Sequence, residues 1–510
     1  MRYLSENKRE DMRMKKRTAA RSMAALMGAA MVLTACGGGN TTAPTTGASS
    51  GGETQTASES AESGKITKTD IVVGQASDIV TLDPAGQQDT TSGVLMKHAY
   101  STLLDVDNEG KVVPDLAESY EMKSDTEYVF KLREDACFWD GTPVTAQDVK
   151  FSLDRAKGMP KTKSNTSKIE EVTVNGDHEV TIKLTEPYAA FKTIVTQHNL
   201  SILSEKAVTE AGDSYGDVDN LLGSGPFKVT EWVPNDHYTL VRNDNYWGEM
   251  PIATSITCRV IPEGSARTIA LEAGEIDVVW SVDPTDCANV ESNPDVKLLS
   301  QPSTGIDYVG MNTQKEKFSD KRVRQAINYA LDKQTFVDTI IEGRGLVANS
   351  YINAAIPGWT DEVEAYPYDP EKAKELLAEA GYPDGFECSI FVNGDLRTRS
   401  AQILQAQLAD VGIKVDISTY EWGALLDTLN AGEHEMFLLG WSNTSFDPDG
   451  STYQLFYSGN HGATGNRAFF SNDKVDELIL SAQRESEESK RMELYKELQF
   501  VLHEESPWCP

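Results

Sequence analysis

Between Cys36 and Lys65 the chain runs for 28 residues (GGGNTTAPTTGASSGGETQTASESAESG) without an aromatic residue, Val, Ile or Leu. Such a segment has no apolar surface to set against the entropy of ordering it, so it reads as a solvated tether. At about 5–6 Å × √28 its root-mean-square reach is on the order of 30 Å. Any packed core therefore has to come from residues 65–510. That body is long enough for about three domains at roughly 100–200 residues each.

The segment before the tether is of a different kind. Residues 1–36 carry eight basic residues against three acidic ones, then thirteen apolar or small residues, Met23–Ala35, then Cys36. At about 1.5 Å per residue this stretch is too short to cross a hydrocarbon core of about 30 Å, and it reads as the h-region of a secretory signal. No later stretch approaches 18 consecutive apolar residues. Residues 37–510 hold 39 basic and 76 acidic side chains, a formal charge of −37. So acidic a body argues against nucleic acid and anionic lipid as partners, and its field is expected to favour cationic or amine-bearing solutes.

Signatures of catalysis fail in context. Gly47-Ala48-Ser49-Ser50-Gly51 fits the nucleophile elbow GxSxG but lies in the tether, without the strand and helix that strain the serine. Gly343–Ala348 fits GxGxxA but follows a helical pattern instead of a strand. Asp105–Gly110 begins like a calcium loop, yet its twelfth position is Leu116, so it reads as a turn between strands. There is no HExxH and no P-loop, and the seven histidines are never within four residues of one another. The pattern implies no enzyme, no cofactor and no metal site. The five cysteines of the body form no CxxC; buried free thiols and one long-range disulfide, Cys258 with Cys287, are both open.

The body alternates strands and helices. Tyr128, Phe130 and Leu132, and again Val180, Ile182 and Leu184, repeat with period two. Asp369-Pro370, the stripe Ala373, Leu376, Leu377, Ala380 and then Gly381 spell a helix with its N-cap, N1 proline and terminal glycine. Thr145–Asp148 opens another as a capping box.

Several separated segments resemble, in order, the bacterial extracellular solute-binding proteins of family 5, the peptide- and nickel-type receptors of ABC importers. They are Asp78–Ala85, Val113–Tyr120, Phe130–Asp135, Phe138–Val149, Gly223–Phe227, Arg242–Trp247, Val323–Asn328, and Gly440-Trp441 leading to Asp447-Pro448-Asp449. Leu33–Cys36 likewise resembles a lipobox, which implies acylation of Cys36 and a chain anchored outside the cytoplasm by lipid alone. The resemblance implies an α/β, two-lobed fold of the periplasmic-binding-protein type with an extra subdomain inserted in the first lobe. The expected segmentation is a signal at 1–36, a tether at 37–64, lobe I from 65–112 and 224–305 with 495–510 returning to it, an inserted subdomain at 113–223, and lobe II at 306–494.

The function so implied is capture of di- or oligopeptides in an interlobe cleft and delivery to two permease subunits and their ATPases, by a monomer. Glutathione or a nickel chelate is the alternative cargo within the family, and a secreted hydrolase the alternative outside it. The segment Asn466–Asn472 resembles the glutathione-binding branch. By resemblance, Asp447, with Asp449 second, receives the solute's ammonium and Arg399 its carboxylate. Trp441 walls the pocket, Asn443 offers a polar contact, and Gln88 in the loop Gly86–Gly93 faces the cleft from lobe I.

Overall fold

The computed structural model describes residues 68–510; the signal, the tether and the lipidation expected at Cys36 lie outside the described residues. Residues Ile66–Pro510 form one compact unit. Within it the fold is two-lobed α/β, built on three large sheets.

The first sheet orders its strands Val278–Val279, Asp70–Gln75, Ser255–Val260, His237–Arg242 and Phe227–Val233. Asp70–Gln75 runs parallel to both of its neighbours, and the remaining pairings are antiparallel. A parallel pair needs a crossover. Here the connection from Gln75 to Ser255 contains the whole second sheet, the antiparallel set Ala117–Ser124, Glu127–Leu132, Glu179–Leu184 and Ile169–Gly176. Its period-two residues do what alternation requires: Tyr128 pairs with Ile182 and Phe130 with Val180, and all four are buried in one cluster. The helix Ala146–Lys157 covers this face and starts in the expected capping box between Thr145 and Asp148. Asp105–Gly110 is a turn joining the antiparallel strands Leu104–Val106 and Val112–Pro114.

The third sheet orders Lys414–Thr419, Glu387–Val392, Met436–Ser442, Gly305–Met311 and Trp508–Cys509. It is buried on both faces, so its central strand reads as a continuous apolar run, Met436–Leu439, instead of alternating. Val309, Met311, Met436 and Leu438 face one core, with residues of the helices Lys321–Ala330, Pro370–Glu379 and Gly394–Ala409. Tyr308, Phe437 and Leu439 face the other, with Asp449–Phe456, Asp473–Arg484 and Glu488–Glu505. The helix at Pro370 has the cap, stripe and left-handed Gly381 read from its sequence.

The C-terminal segment corrects one expectation. Residues 495–510 do not return to lobe I: Trp508–Cys509 pairs with Gly305–Met311 in the lobe II sheet. The Trp508 ring stacks on Tyr308 at 3.4 Å between centroids and 7° between planes, and Arg324 fixes the Glu505 carbonyl at 2.6 Å. All five cysteines of the described residues are free thiols, four of them buried, so Cys258 and Cys287 are not joined.

Candidate functional site

The strand Met436–Ser442 delivers the chain to a loop, Asn443–Pro448, and then to the helix Asp449–Phe456, at the seam where lobe II meets the N-terminal half. Polar bonds inside the loop consume most of its side chains. Asn443 Nδ2 donates to the Asp447 carbonyl at 2.7 Å and to Ser451 Oγ at 2.8 Å, while its Oδ1 accepts from Ser445 Oγ at 2.9 Å. Trp441 is partly buried against the lobe II core and donates to the Gly450 carbonyl at 3.1 Å. Across the seam, Gly110 lies so close to Phe446 that a Cβ there would stand 2.5 Å from the ring.

The two aspartates expected to receive an ammonium already have partners. Arg491 Nη1 donates to Asp447 Oδ2 at 2.9 Å and Nη2 to Oδ1, a bidentate pair with both side chains buried. Asp449 accepts from Tyr188 Oη at 2.5 Å and from Gln483 Nε2 at 2.9 Å. Burial, with the Asp447 charge beside it, pushes Asp449 up to about 6. An incoming ammonium would have to displace a guanidinium fork from a site with little solvent to reaccommodate it. The geometry fastens the loop through these carboxylates. Arg399 is similarly committed: its Nη2 reaches both oxygens of Asp283, at 2.9 and 2.6 Å. Although burial pulls Asp283 up, Thr285 and Arg399 hold its carboxyl below the usual range.

Unspent polarity lies nearby, at the loop that holds Gln88. Asp83 accepts from Ala85 N and pairs with Arg155 at 2.6 Å, which anchors the loop's start. Asp89 caps the helix Thr90–Ala99 through Ser92 N at 2.9 Å, and Trp422 Nε1 of lobe II approaches the same oxygen at 3.4 Å. The other oxygen, Asp89 Oδ2, is buried without a partner, as is Gln88 Oε1. Gln88 Nε2 meets the lobe II Gln454 Oε1 at 3.4 Å and the Thr464 carbonyl at 3.3 Å, so Gln88 does face the seam.

Opposite stands Arg467, 5 % exposed. Among the described residues it makes one side-chain hydrogen bond, from Nε to Asn430 Oδ1 at 3.0 Å. Burial lowers its pKa, while Tyr308 and Asp89 act in the opposite sense. Asp89 and Arg467 are therefore within electrostatic reach yet form no ion pair. Leaving one buried polar atom unpartnered costs about 1–3 kcal/mol, and a charge costs more. A carboxylate oxygen on one wall and guanidinium N–H groups on the other can hold an ammonium and a carboxylate at once.

A cavity of about 330 Å³ opens at Thr464, lined by Lys157, Pro160 and Lys163 together with His461 and Ala463. Its lining includes lysines and no acidic residue, the reverse of what the −37 body charge implies for the solute. Thr464, whose carbonyl receives Gln88, joins the cavity to the Asp89 wall. A larger concavity, about 560 Å³, lies on one face of the helix Glu488–Glu505. Asp89 and Arg467 were not singled out from sequence. Asp89 follows Gln88 in the loop Gly86–Gly93, and Arg467 sits in Asn466–Asn472, but nothing in either motif announces an unpaired charge.

The family model of bacterial extracellular solute-binding proteins, family 5 (middle), matches residues 111–463. The glutathione-binding protein GsiB of Escherichia coli K12 is 32 % identical over 460 residues, 86 % of this chain and 88 % of that protein. Helicobacter pylori DppA, solved with the peptide STSA, superposes with a TM-score of 0.83 at 29 % identity, over 86 % of this chain and 91 % of that one. The oligopeptide-binding protein AppA of Bacillus subtilis, solved with a nonapeptide, gives 0.79 at 26 %, over 86 % and 92 %.

Proposed function

The chain belongs to the family 5 extracellular solute-binding proteins, and from that membership we propose that it is the receptor of an ABC importer, holding a peptide-like solute between its lobes. The observation that carries the reading is Asp89 Oδ2, buried without a partner, on one side of the seam, with Arg467, whose one side-chain hydrogen bond among the described residues goes to Asn430, on the other. Asp89 takes the solute's ammonium, Arg467 its carboxylate, and Gln88 Oε1 an N–H of the solute.

Each group then gains a hydrogen bond it does not make among the described residues. Because the groups come from different lobes, a solute touching both stabilises the closed arrangement over the open one, and that differential affinity is what a transporter can read. Trp441 and Asn443 support the wall through the loop they brace. Asp447, Asp449 and Arg399 act by positioning.

In this reading the protein is a monomer and turns over no substrate. A signal peptide directs it out of the cytoplasm, acylated Cys36 holds it to the cell membrane, and it delivers cargo to permease subunits driven by ATPases. Glutathione is the second reading of the cargo, favoured by the 32 % identity to GsiB. Mass spectrometry of small molecules released by denaturing the purified protein tests the proposal. A stoichiometric solute with a free amine and a carboxylate is expected; a solute lacking either group contradicts it.

A further inference from the structure

Two sets of polar bonds cross from the N-terminal half to lobe II, and they differ in kind. The first set is buried: Tyr188 Oη to Asp449 at 2.5 Å, Ala189 N to the Gln483 carbonyl at 2.8 Å, and Gln454 Nε2 to Asn165 Oδ1 at 2.5 Å. A more exposed pair, Glu186 with Arg484, flanks it. The second set consists of two ion pairs made by one short segment, Asp283–Ser292. Arg399 Nη2 reaches both Asp283 oxygens, at 2.9 and 2.6 Å, and Arg344 Nη2 donates to Glu291 Oε1 at 2.9 Å. The segment packs on the helix Gly264–Glu272, which leads into the edge strand Val278–Val279 of the first sheet: Thr268 Oγ1 donates to Asp286 Oδ2 at 2.8 Å, and a Cβ on Gly264 would stand 2.7 Å from that of Asp283. Both arginines belong to lobe II. Arg399 lies on the helix Gly394–Ala409, whose Ala401, Leu404 and Leu408 pack in the lobe II core, and Arg344 follows the helix Lys333–Thr339, whose Phe336 packs against it. Among the described residues neither guanidinium donates a hydrogen bond within its own lobe; each spends its charge across the boundary.

We infer that Asp283–Arg399 and Glu291–Arg344 form a salt-sensitive clasp that holds the lobes shut without a solute, and that the boundary opens at this clasp while the Tyr188–Asp449 contacts stay fastened. The two sets respond differently to water. The side chains of Arg399, Arg344 and Glu291 are 35, 31 and 51 % exposed, so solvent screens the pairs and rehydrates the arginines when they part. Asp283, the least exposed member, keeps its bonds from Thr285 N at 3.0 Å and Thr285 Oγ1 at 2.7 Å in either state. Parting Tyr188 from Asp449 instead strands a hydroxyl and a carboxylate that are almost fully buried. The clasp acts in the solute-free protein and holds whatever the seam binds. By filling the closed state beforehand it lowers the share of binding energy that closure would consume.

The test is the distance between spin labels on the full-length protein freed of bound solute, read by double electron–electron resonance. Cys36→Ser and Cys137→Ser leave only buried thiols in the background. One label pair, Glu272→Cys with Ala406→Cys, spans the clasp; a second, Glu171→Cys with Asp473→Cys, spans the buried set, and all four positions are exposed. At about 20 mM salt the clasp pair is expected to show one dominant short distance, and at about 500 mM a second, longer one. Arg344→Gln with Arg399→Gln, at unchanged melting temperature, is expected to move roughly half of the population or more to the longer distance at low salt and to abolish the salt response. Asp283→Asn, which keeps the bond to Thr285 N, is expected to shift the population in the same direction. The second label pair should not move in any of these. An unchanged clasp distance in both the double-arginine variant and Asp283→Asn, a salt response that persists without the arginines, or a displacement of the second pair as large as that of the first overturns the inference.

Discussion

Arg491 grips Asp447 through both of its terminal nitrogens, Nη1 to Oδ2 at 2.9 Å and Nη2 to Oδ1, across 44 residues of sequence and with both side chains buried. The pair ties the helix Glu488–Glu505 to the loop after Trp441. It also leaves Asp447 with both carboxylate oxygens partnered by Arg491.

Breaking one side of this pair should cost stability more than binding. Arg491→Met leaves a buried carboxylate uncompensated and is expected to destabilise the fold by about 3–5 kcal/mol in urea denaturation. The double variant Arg491→Met, Asp447→Leu should recover a substantial part of that loss. No recovery would mean that Arg491 acts through other contacts.

Arg467 should show the opposite balance. Its guanidinium is buried with one hydrogen bond, so Arg467→Met is expected to raise the stability of the solute-free protein, by roughly 1–3 kcal/mol, while abolishing solute binding. Denaturation after removal of bound solute, with a parallel titration, reads both effects. A stability loss together with retained affinity would contradict the role given to it.

Much of the scaffold was legible because its signals are local. The capping box at Thr145, the cap, stripe and glycine from Asp369 to Gly381, and the alternation at Tyr128–Leu132 each lie within a few residues. The site was legible only as a neighbourhood. Gln88 and the Gly440–Asp449 loop do stand at the seam, but which charges there remain unpaired depends on partners distant in sequence. Asp447 meets Arg491 on the helix Glu488–Glu505, and Asp449 meets Tyr188, 261 residues away. The destination of the C-terminal strand was misread for the same reason, since Tyr308, the ring that holds Trp508, is 200 residues upstream.

Asp449 predicts a pH signature. Its pKa in the folded chain, about 6, lies above the ~3.9 of an unfolded aspartate, so the folded state binds more protons between those values. The stability it contributes is fully present below about pH 4 and is lost as pH rises through 6, on the order of 3 kcal/mol in all. Asp449→Asn should remove this component: the difference in unfolding free energy between wild type and variant should shrink or reverse from pH 5 to pH 7. A difference independent of pH would refute the assignment.

Thiol chemistry should follow burial. Burial pushes Cys258 up to about 11 and Cys388, with Glu435 adding to it, up to about 12. In the native protein at pH 8, iodoacetamide followed by peptide mass mapping should label Cys137, the one thiol of the five that is not buried, well before Cys258, Cys388 or Cys509. Early labelling of Cys388 would mean that the lobe II core opens readily.

The central claim is that a carboxylate on the N-terminal side of the seam, and not the pair after Trp441, receives the solute's ammonium. It is tested most directly by titrating the solute identified by mass spectrometry into wild type, Asp89→Asn and Asp447→Asn. Asparagine keeps the helix cap at position 89 and removes only the charge. Asp89→Asn is expected to lose at least about a hundredfold in affinity, and Asp447→Asn no more than about threefold in the folded fraction. The reverse order would contradict it.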